Sequence, residues 1–163
     1  MRKILIFLLL LGSLGYAKEF TLKSISGEVY HAQMTPLGLK IKEFPAKVIM
    51  LDFFGANCPP CIAELPELVK FQKTFGETVQ LIGVQSSSKR SDKEMLKFVQ
   101  KHHINYPVIN LKDAEALISY AQENTDWNGV LPYKLVYDFD TSLSYRLYGM
   151  VNWEKLTEIL RNL

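Results

Sequence analysis

The feature that most constrains this chain is the run Val48-Ile49-Met50-Leu51-Asp52-Phe53-Phe54, followed at once by Gly55-Ala56-Asn57 and Cys58-Pro59-Pro60-Cys61. A strand that is apolar at nearly every position must be covered on both faces, which places it at the centre of a sheet between two layers. Pro59 and Pro60 suit the first turn of a helix, where the N–H that proline lacks has no intrahelical partner. Leu65, Leu68, Val69, Phe71 and Phe75 then recur at spacings of three and four. A helix is predicted from about Pro59 to Thr74, with a bend at Pro66. A central strand thus feeds a helix through a turn that carries both cysteines of the chain.

Further along, Val79–Val84 reads as a second core strand and Ser86–Ser91 as a polar loop. Ser91 or Asp92 caps a helix running to about His102, with Met95, Leu96, Phe98 and Val99 as its apolar residues. A short strand at Pro107–Leu111, a helix at Asp113–Ala121 and a loop carrying Trp127 follow. Leu135–Asp138 and Ser144–Tyr148 form a hairpin, and Trp153–Leu160 a closing helix. Upstream, Phe20–Ile25 and Val29–His31 flank a Ser26-Gly27 turn, with a short strand at Leu39–Ile41. Strands alternating with helices predict a mixed α/β sheet with helices on both faces. No repeat or linker divides the chain, and 163 residues suit one core.

The first 17 residues have the layout of a secretory signal: Arg2 and Lys3, an apolar Ile4–Leu11, then small residues ending at Gly15 and Ala17. The expected organisation is a signal peptide at 1–17 and a single domain at 18–163. An uncleaved Ile4–Tyr16 would instead serve as an anchor, although it is shorter than the roughly 20 apolar residues of a spanning helix. Without Arg2 and Lys3 the basic residues equal the 17 acidic ones. A neutral surface gives no electrostatic reason to bind nucleic acid or anionic lipid. Lys89 and Arg90, in a polar loop, are read as solvated.

In an exported protein disulfides persist, but a Cys58–Cys61 staple would remove little entropy from the unfolded chain. Reactivity is the better reason for the pair. Cys58 stands at a helix mouth, where unpaired N–H groups favour a thiolate, and is read as the nucleophile. Cys61, one turn further in, is read as the resolving thiol. A zinc site would want four ligands, and only His31, His102 and His103 join the pair, with no matching spacing; no metal and no cofactor is expected. Asp52 breaks the apolar strand six positions before Cys58. A buried carboxyl with a raised pKa would suit proton transfer from Cys61, while an exposed or salt-bridged acid is the alternative. Pro132 precedes the last core strand, and sequence physics alone favours a trans bond there.

The strand, the Cys-Pro-Pro-Cys helix mouth, Tyr106-Pro107-Val108-Ile109 and Val130-Leu131-Pro132 together resemble the thioredoxin superfamily, in its exported TlpA/ResA/CcmG (DsbE)-like branch. The resemblance spans about residues 19–163. It implies a thioredoxin-like fold with an N-terminal β extension and an inserted strand–helix near Val79–His102. It also implies a cis Pro132 facing the cysteines, with the Leu131 backbone open to a bound substrate strand. A redox-active Cys58–Cys61 disulfide follows from the same likeness. Asp52 falls on the buried acid of thioredoxin itself, which implies the proton-transfer role, although many members of the exported branch lack that acid. Phe54, Asn57, Pro59, Pro60, Leu131, Pro132 and Tyr133 are the expected groove, with a core position the equal alternative for Phe54. Asn57, where relatives commonly carry Trp, and Tyr133, where Thr is common, depart from the pattern.

The function so implied is an extracytoplasmic thiol–disulfide oxidoreductase, reducing disulfides in exported proteins such as apocytochrome c. A membrane electron donor of the DsbD/CcdA type would keep the pair reduced. The location is the periplasm or another extracytoplasmic space, and a monomer is expected. The rival readings are a general oxidase or isomerase and a copper- or haem-handling protein, the latter disfavoured by the narrow cysteine spacing. A thiol peroxidase would want Thr or Ser three residues before its reactive cysteine, where this chain has Gly55.

Overall fold

In the computed structural model, which describes residues 17–36 and 38–163, the elements run β1 (Lys18–Lys23), β2 (Val29–Thr35), β3 (Gly38–Ile41), β4 (Val48–Phe54), α1 (Pro59–Phe75), β5 (Val79–Gln85), α2 (Asp92–Lys101), β6 (Val108–Ile109), α3 (Leu111–Asn124), β7 (Tyr133–Tyr137), β8 (Leu143–Tyr148) and α4 (Trp153–Arg161). The segment read as an export signal lies outside the described residues, apart from Ala17. Among those residues no helix is long and apolar enough to cross a membrane.

The main sheet has the order β6-β5-β4-β7-β8, and every residue of β4 is buried. β4 pairs parallel with β5 and antiparallel with β7, so the sheet is mixed, as the sequence predicts. Successive β4 side chains enter opposite layers. Ile49, Leu51 and Phe53 join a core closed by α3 and by the antiparallel sheet β1-β2-β3. Val48, Met50 and Phe54 join a second core with Leu65 and Leu68 of α1, Met95 of α2 and Leu156 of α4. The N-terminal extension is therefore a lid over one face of the main sheet. It is tied down by Ile25 N–H donating to the Val108 carbonyl (2.9 Å) and by the Tyr120 hydroxyl donating to the Thr35 carbonyl (2.7 Å).

Helix α1 starts at Pro59 and continues unbroken through the exposed Pro66. Helix α2 opens with a reciprocal capping box: the Ser91 hydroxyl accepts from Glu94 N–H, and the Glu94 carboxylate accepts from Ser91 N–H.

The segment expected to be strand to Leu111 and helix only from Asp113 divides differently. Strand β6 ends at Ile109, and Asn110 caps α3, which then begins at Leu111. The Asn110 amide oxygen accepts from Leu111 N–H (3.0 Å). Its amide nitrogen donates to the Arg90 carbonyl and to Asp92 Oδ1, both at 2.8 Å. The apolar Leu111 after an apolar run disguised this boundary.

Asn110, almost wholly buried, thus joins three elements. Asn110→Ala should lower unfolding free energy by about 1–3 kcal/mol, through a lost cap and unpaired buried groups. Urea denaturation of the variant against the parent measures this.

Candidate active site

Strands β5 and β7 flank β4 along its length, and the register fixes what stands beside its C-terminal end. Phe54 is level with Gln85, and Phe53 with Tyr133. The next residues, Ser86 on one side and Pro132 on the other, therefore bracket the turn that leads to Cys58. Ser86 N–H donates to the Phe54 carbonyl at 3.0 Å, fastening the β5–α2 loop to that end. On the other side Gly149 N–H donates to the Pro132 carbonyl (2.9 Å), and the Leu131–Pro132 bond is cis.

Cys58 is the N-cap of α1 in an extended conformation, and its sulfur accepts from Cys61 N–H at 3.3 Å. The two cysteines are joined as a disulfide, with 5.2 Å between their Cα atoms. Cys58 is half-exposed, whereas Cys61 is 1% exposed. An incoming sulfur can meet only Cys58, and Cys61 is placed to attack it from within. The backbone donor at the Cys58 sulfur would also favour the thiolate when the bond is reduced.

The turn before Cys58 is filled from the side. A Cβ on Gly55 would lie 2.4 Å from Ser87 Oγ and 3.2 Å from Cys58 Cβ. At the position where a peroxidase would carry Thr or Ser, a side chain would require the exposed Ser87 to turn its hydroxyl away.

Beneath the disulfide, Asp52 on β4 is directly opposite Lys134 on β7. Both share the side of the sheet that carries Met50, Phe54 and Val136, the side covered by α1 and holding Cys61. Asp52 and Lys134 are both 0% exposed. Lys134 Nζ lies 2.6 Å from Glu64 Oε1 and 3.4 Å from Asp52 Oδ1. Glu64 also accepts from Val151 N–H at 2.9 Å, whereas neither Asp52 oxygen has a hydrogen-bond partner among the described residues. Two acids therefore share one ammonium. Burial, partly offset by Lys134, raises the pKa of Asp52; burial, with the Asp52 charge adding to it against Lys134, lifts Glu64 to about 7. The donors sit on Glu64, so Glu64 is the better-supported anion and Asp52 is the acid readier to take up a proton.

Of the expected groove, Asn57 and Pro59 are exposed, Pro60 and Leu131 half-exposed, and Pro132 buried. Leu131 packs against both cores. Two expectations need correction. Phe54, 1% exposed and stacked on Phe98 (5.9 Å), is a core residue. Tyr133, 0% exposed, stacks on Trp127 (5.4 Å), its hydroxyl 3.2 Å from Thr125 Oγ1. Strand alternation turns both rings inward, and neither presents a surface to a bound chain.

Sequence reasoning missed Glu64, Lys134 and Arg90. Glu64 interrupts the buried face of α1 one turn beyond Cys61, and Lys134 interrupts a buried strand. Both breaks in pattern resemble the one that marked Asp52. Arg90, expected to be solvated, donates to Asn57 Oδ1 at 2.5 Å, on the residue before Cys58. The histidines stay apart from the site: His31 bonds Glu43, and His102 ends α2 against Phe98.

Comparison with known proteins agrees with this geometry. Residues 16–146 match the AhpC/TSA family. Thioredoxin-like protein YneN of Bacillus subtilis is 27% identical over 125 residues, 76% of this chain and 63% of that protein. The match thus spans less than two thirds of that relative. The thiol-disulfide oxidoreductase ResA of Bacillus thuringiensis subsp. konkukian is 26% identical over 173 residues, 99% of this chain and 94% of its own length. Among solved structures, a thiol:disulfide interchange protein of the thioredoxin family from Chlorobium tepidum superposes with a TM-score of 0.71 at 20% identity, covering 90% of this chain and 93% of that one.

The buried acids set a pH dependence. Their pKa values are higher in the folded than in the unfolded chain, so the folded state holds protons more tightly. The Glu64 contribution to stability is complete below about 4.5 and is lost as pH rises through about 7. Asp52→Asn leaves the Lys134–Glu64 pair intact and removes the second buried acid. The variant should show a shallower loss of stability across that window and exceed the parent at pH 8. Equal slopes in denaturation series from pH 4 to 8 would overturn the assignment.

Proposed function

The chain belongs to the AhpC/TSA family and has the thioredoxin fold, and on that premise we propose that it is an extracytoplasmic thiol–disulfide oxidoreductase that reduces disulfides in exported proteins. The observation that carries the reading is the pairing of a half-exposed Cys58 at the mouth of α1 with a buried Cys61 at disulfide distance.

The exchange runs in two displacements. The Cys58 thiolate attacks one sulfur of a substrate disulfide, and the other substrate sulfur leaves as a thiolate and takes up a proton. Cys61 then gives up its proton and attacks Cys58 Sγ. The second substrate sulfur departs, and the Cys58–Cys61 disulfide remains. Two electrons have passed to the substrate, so each turnover needs two electrons back from a dithiol partner. A membrane protein of the DsbD/CcdA type fits that need in a compartment where no soluble reductant keeps thiols reduced.

Asp52 lies in the same buried layer as Cys61, and Glu64 is one helical turn further along α1. A carboxyl with raised proton affinity accepts a thiol proton more readily than an ordinary carboxylate does, which suits Asp52 to the second displacement. Lys134 holds the negative charge that remains. The substrate chain lies across Asn57, Pro59, Pro60 and the Leu131–Pro132 turn, with the Leu131 backbone pairing to it as an added strand. The disulfide of apocytochrome c, reduced to thiols before haem attachment, is the substrate that the resemblance to the exported branch favours. The basic N-terminal residues and apolar Ile4–Leu11 support export, with the domain soluble after cleavage at Ala17 or anchored without it.

Cys58→Ser should abolish exchange, and Cys61→Ser should accumulate a mixed disulfide through Cys58. Acid trapping of that variant in its native cells, followed by mass spectrometry, should recover apocytochromes and a membrane dithiol protein. A broad set of exported proteins would mean a general oxidase or isomerase instead. Asp52→Asn should slow the second displacement far more than the first in quenched-flow measurements. Equal slowing of both steps would remove Asp52 from proton transfer.

A further inference from the structure

We propose that Arg90 reads the substrate: its guanidinium, held beside Cys58, selects disulfides whose cysteine is flanked by an acidic residue. The proposal rests on the oxidoreductase reading and concerns which polypeptides that site accepts.

Arg90 is in the loop between β5 and α2, far from Cys58 in sequence, yet its Nη2 donates to Asn57 Oδ1, on the residue just before Cys58. The backbone that carries it is fixed from several directions. Its carbonyl accepts from the buried Asn110 side chain (2.8 Å), and the next residue, Ser91, is locked in the α2 capping box. The start of the same loop is bonded to the end of β4 through Ser86, and Ser87 is wedged against Gly55. A cation on so constrained a backbone loses little conformational freedom when it meets a ligand.

The guanidinium has donors to spare. It presents N–H groups in a planar fork suited to a carboxylate. Nε is enclosed and out of a ligand's reach, but of the two terminal nitrogens only Nη2 has a partner among the described residues, Asn57 Oδ1. Among the described residues Arg90 forms no ion pair with a carboxylate. The nearby Glu94 is occupied in its own cap, accepting from the Ser91 N–H and hydroxyl.

The opposite bank has a different character. Val130 and Met150 are 58% and 56% exposed, on either side of the turn in which Gly149 bonds the Pro132 carbonyl. A strand laid across Cys58 therefore has an apolar wall on one side and a fixed cation on the other. Asn57, in place of a large aromatic ring, provides the amide oxygen that holds the cation there.

The test uses three synthetic peptides, each with one internal disulfide, identical except for Glu, Gln or Lys beside the attacked cysteine. Rate constants for their reduction by the fully reduced protein come from acid quenching and chromatography. The parent should prefer the Glu over the Lys peptide by about tenfold at low ionic strength, the preference shrinking as salt rises. Arg90→Gln should bring the Glu-to-Lys ratio close to one, and Arg90→Glu should invert it. Lys89→Gln, which removes an exposed neighbouring charge, should keep the preference. A ratio unchanged in both Arg90 variants, or lost equally in Lys89→Gln, would overturn the role of Arg90 and leave the exchange chemistry standing. A parent that reduces none of the three peptides would overturn the oxidoreductase reading itself, and this proposal with it.

Discussion

Both faces of β4 must be kept from water, and the rest of the architecture follows from that requirement. A strand buried along its whole length needs a layer above and a layer below. Here one layer is α1 with α2 and α4, and the other is α3 with the N-terminal antiparallel sheet. The flanking strands β5 and β7 then have to run beside it. The ends of all three meet where the layers open. Cys58 is at that opening because α1 must begin there to fold back over the strand it has just left.

The buried acids run against the same requirement. Two carboxyls and one ammonium between a sheet and a helix contribute less to stability than apolar residues of similar volume commonly would. Under the proposed mechanism such a cluster is a proton reservoir beneath the thiol that Cys61 would carry when reduced. Its geometry is unequal: Glu64 has the donors, and Asp52, with none, is the readier to take up a proton. Lys134 lets the cluster change its proton count without leaving a net charge of two inside the protein.

Most of the scaffold was legible because periodicity and burial are local signals. The Val48–Phe54 run, the prolines at the helix mouth and the Ser91 cap each carry their own structural meaning. What escaped was decided by tertiary contact. Nothing around Phe54 or Tyr133 says which way an aromatic ring turns at a strand end, and the packing of Phe98 and Trp127 settles it. The helix at Leu111 was masked because Asn110 serves as a cap by bonding partners on another element. Arg90 looked like a solvated loop residue because its significance comes from a residue 33 positions away. Glu64 and Lys134 were visible as polar interruptions, but their meeting was not.

The contact between Gly55 and Ser87 has a further consequence. The two residues meet in one small volume just past the ends of β4 and β5, and bulk added at 55 falls first on the Ser87 hydroxyl. A descendant that acquired a side chain at 55 would have to turn the Ser87 hydroxyl outward, shorten the side chain at 87 or shift the loop carrying Arg90. The two positions should therefore drift through evolution as a linked pair. Exchange of a hydroxyl between them would alter the neighbourhood of the nucleophile while leaving the scaffold as it is.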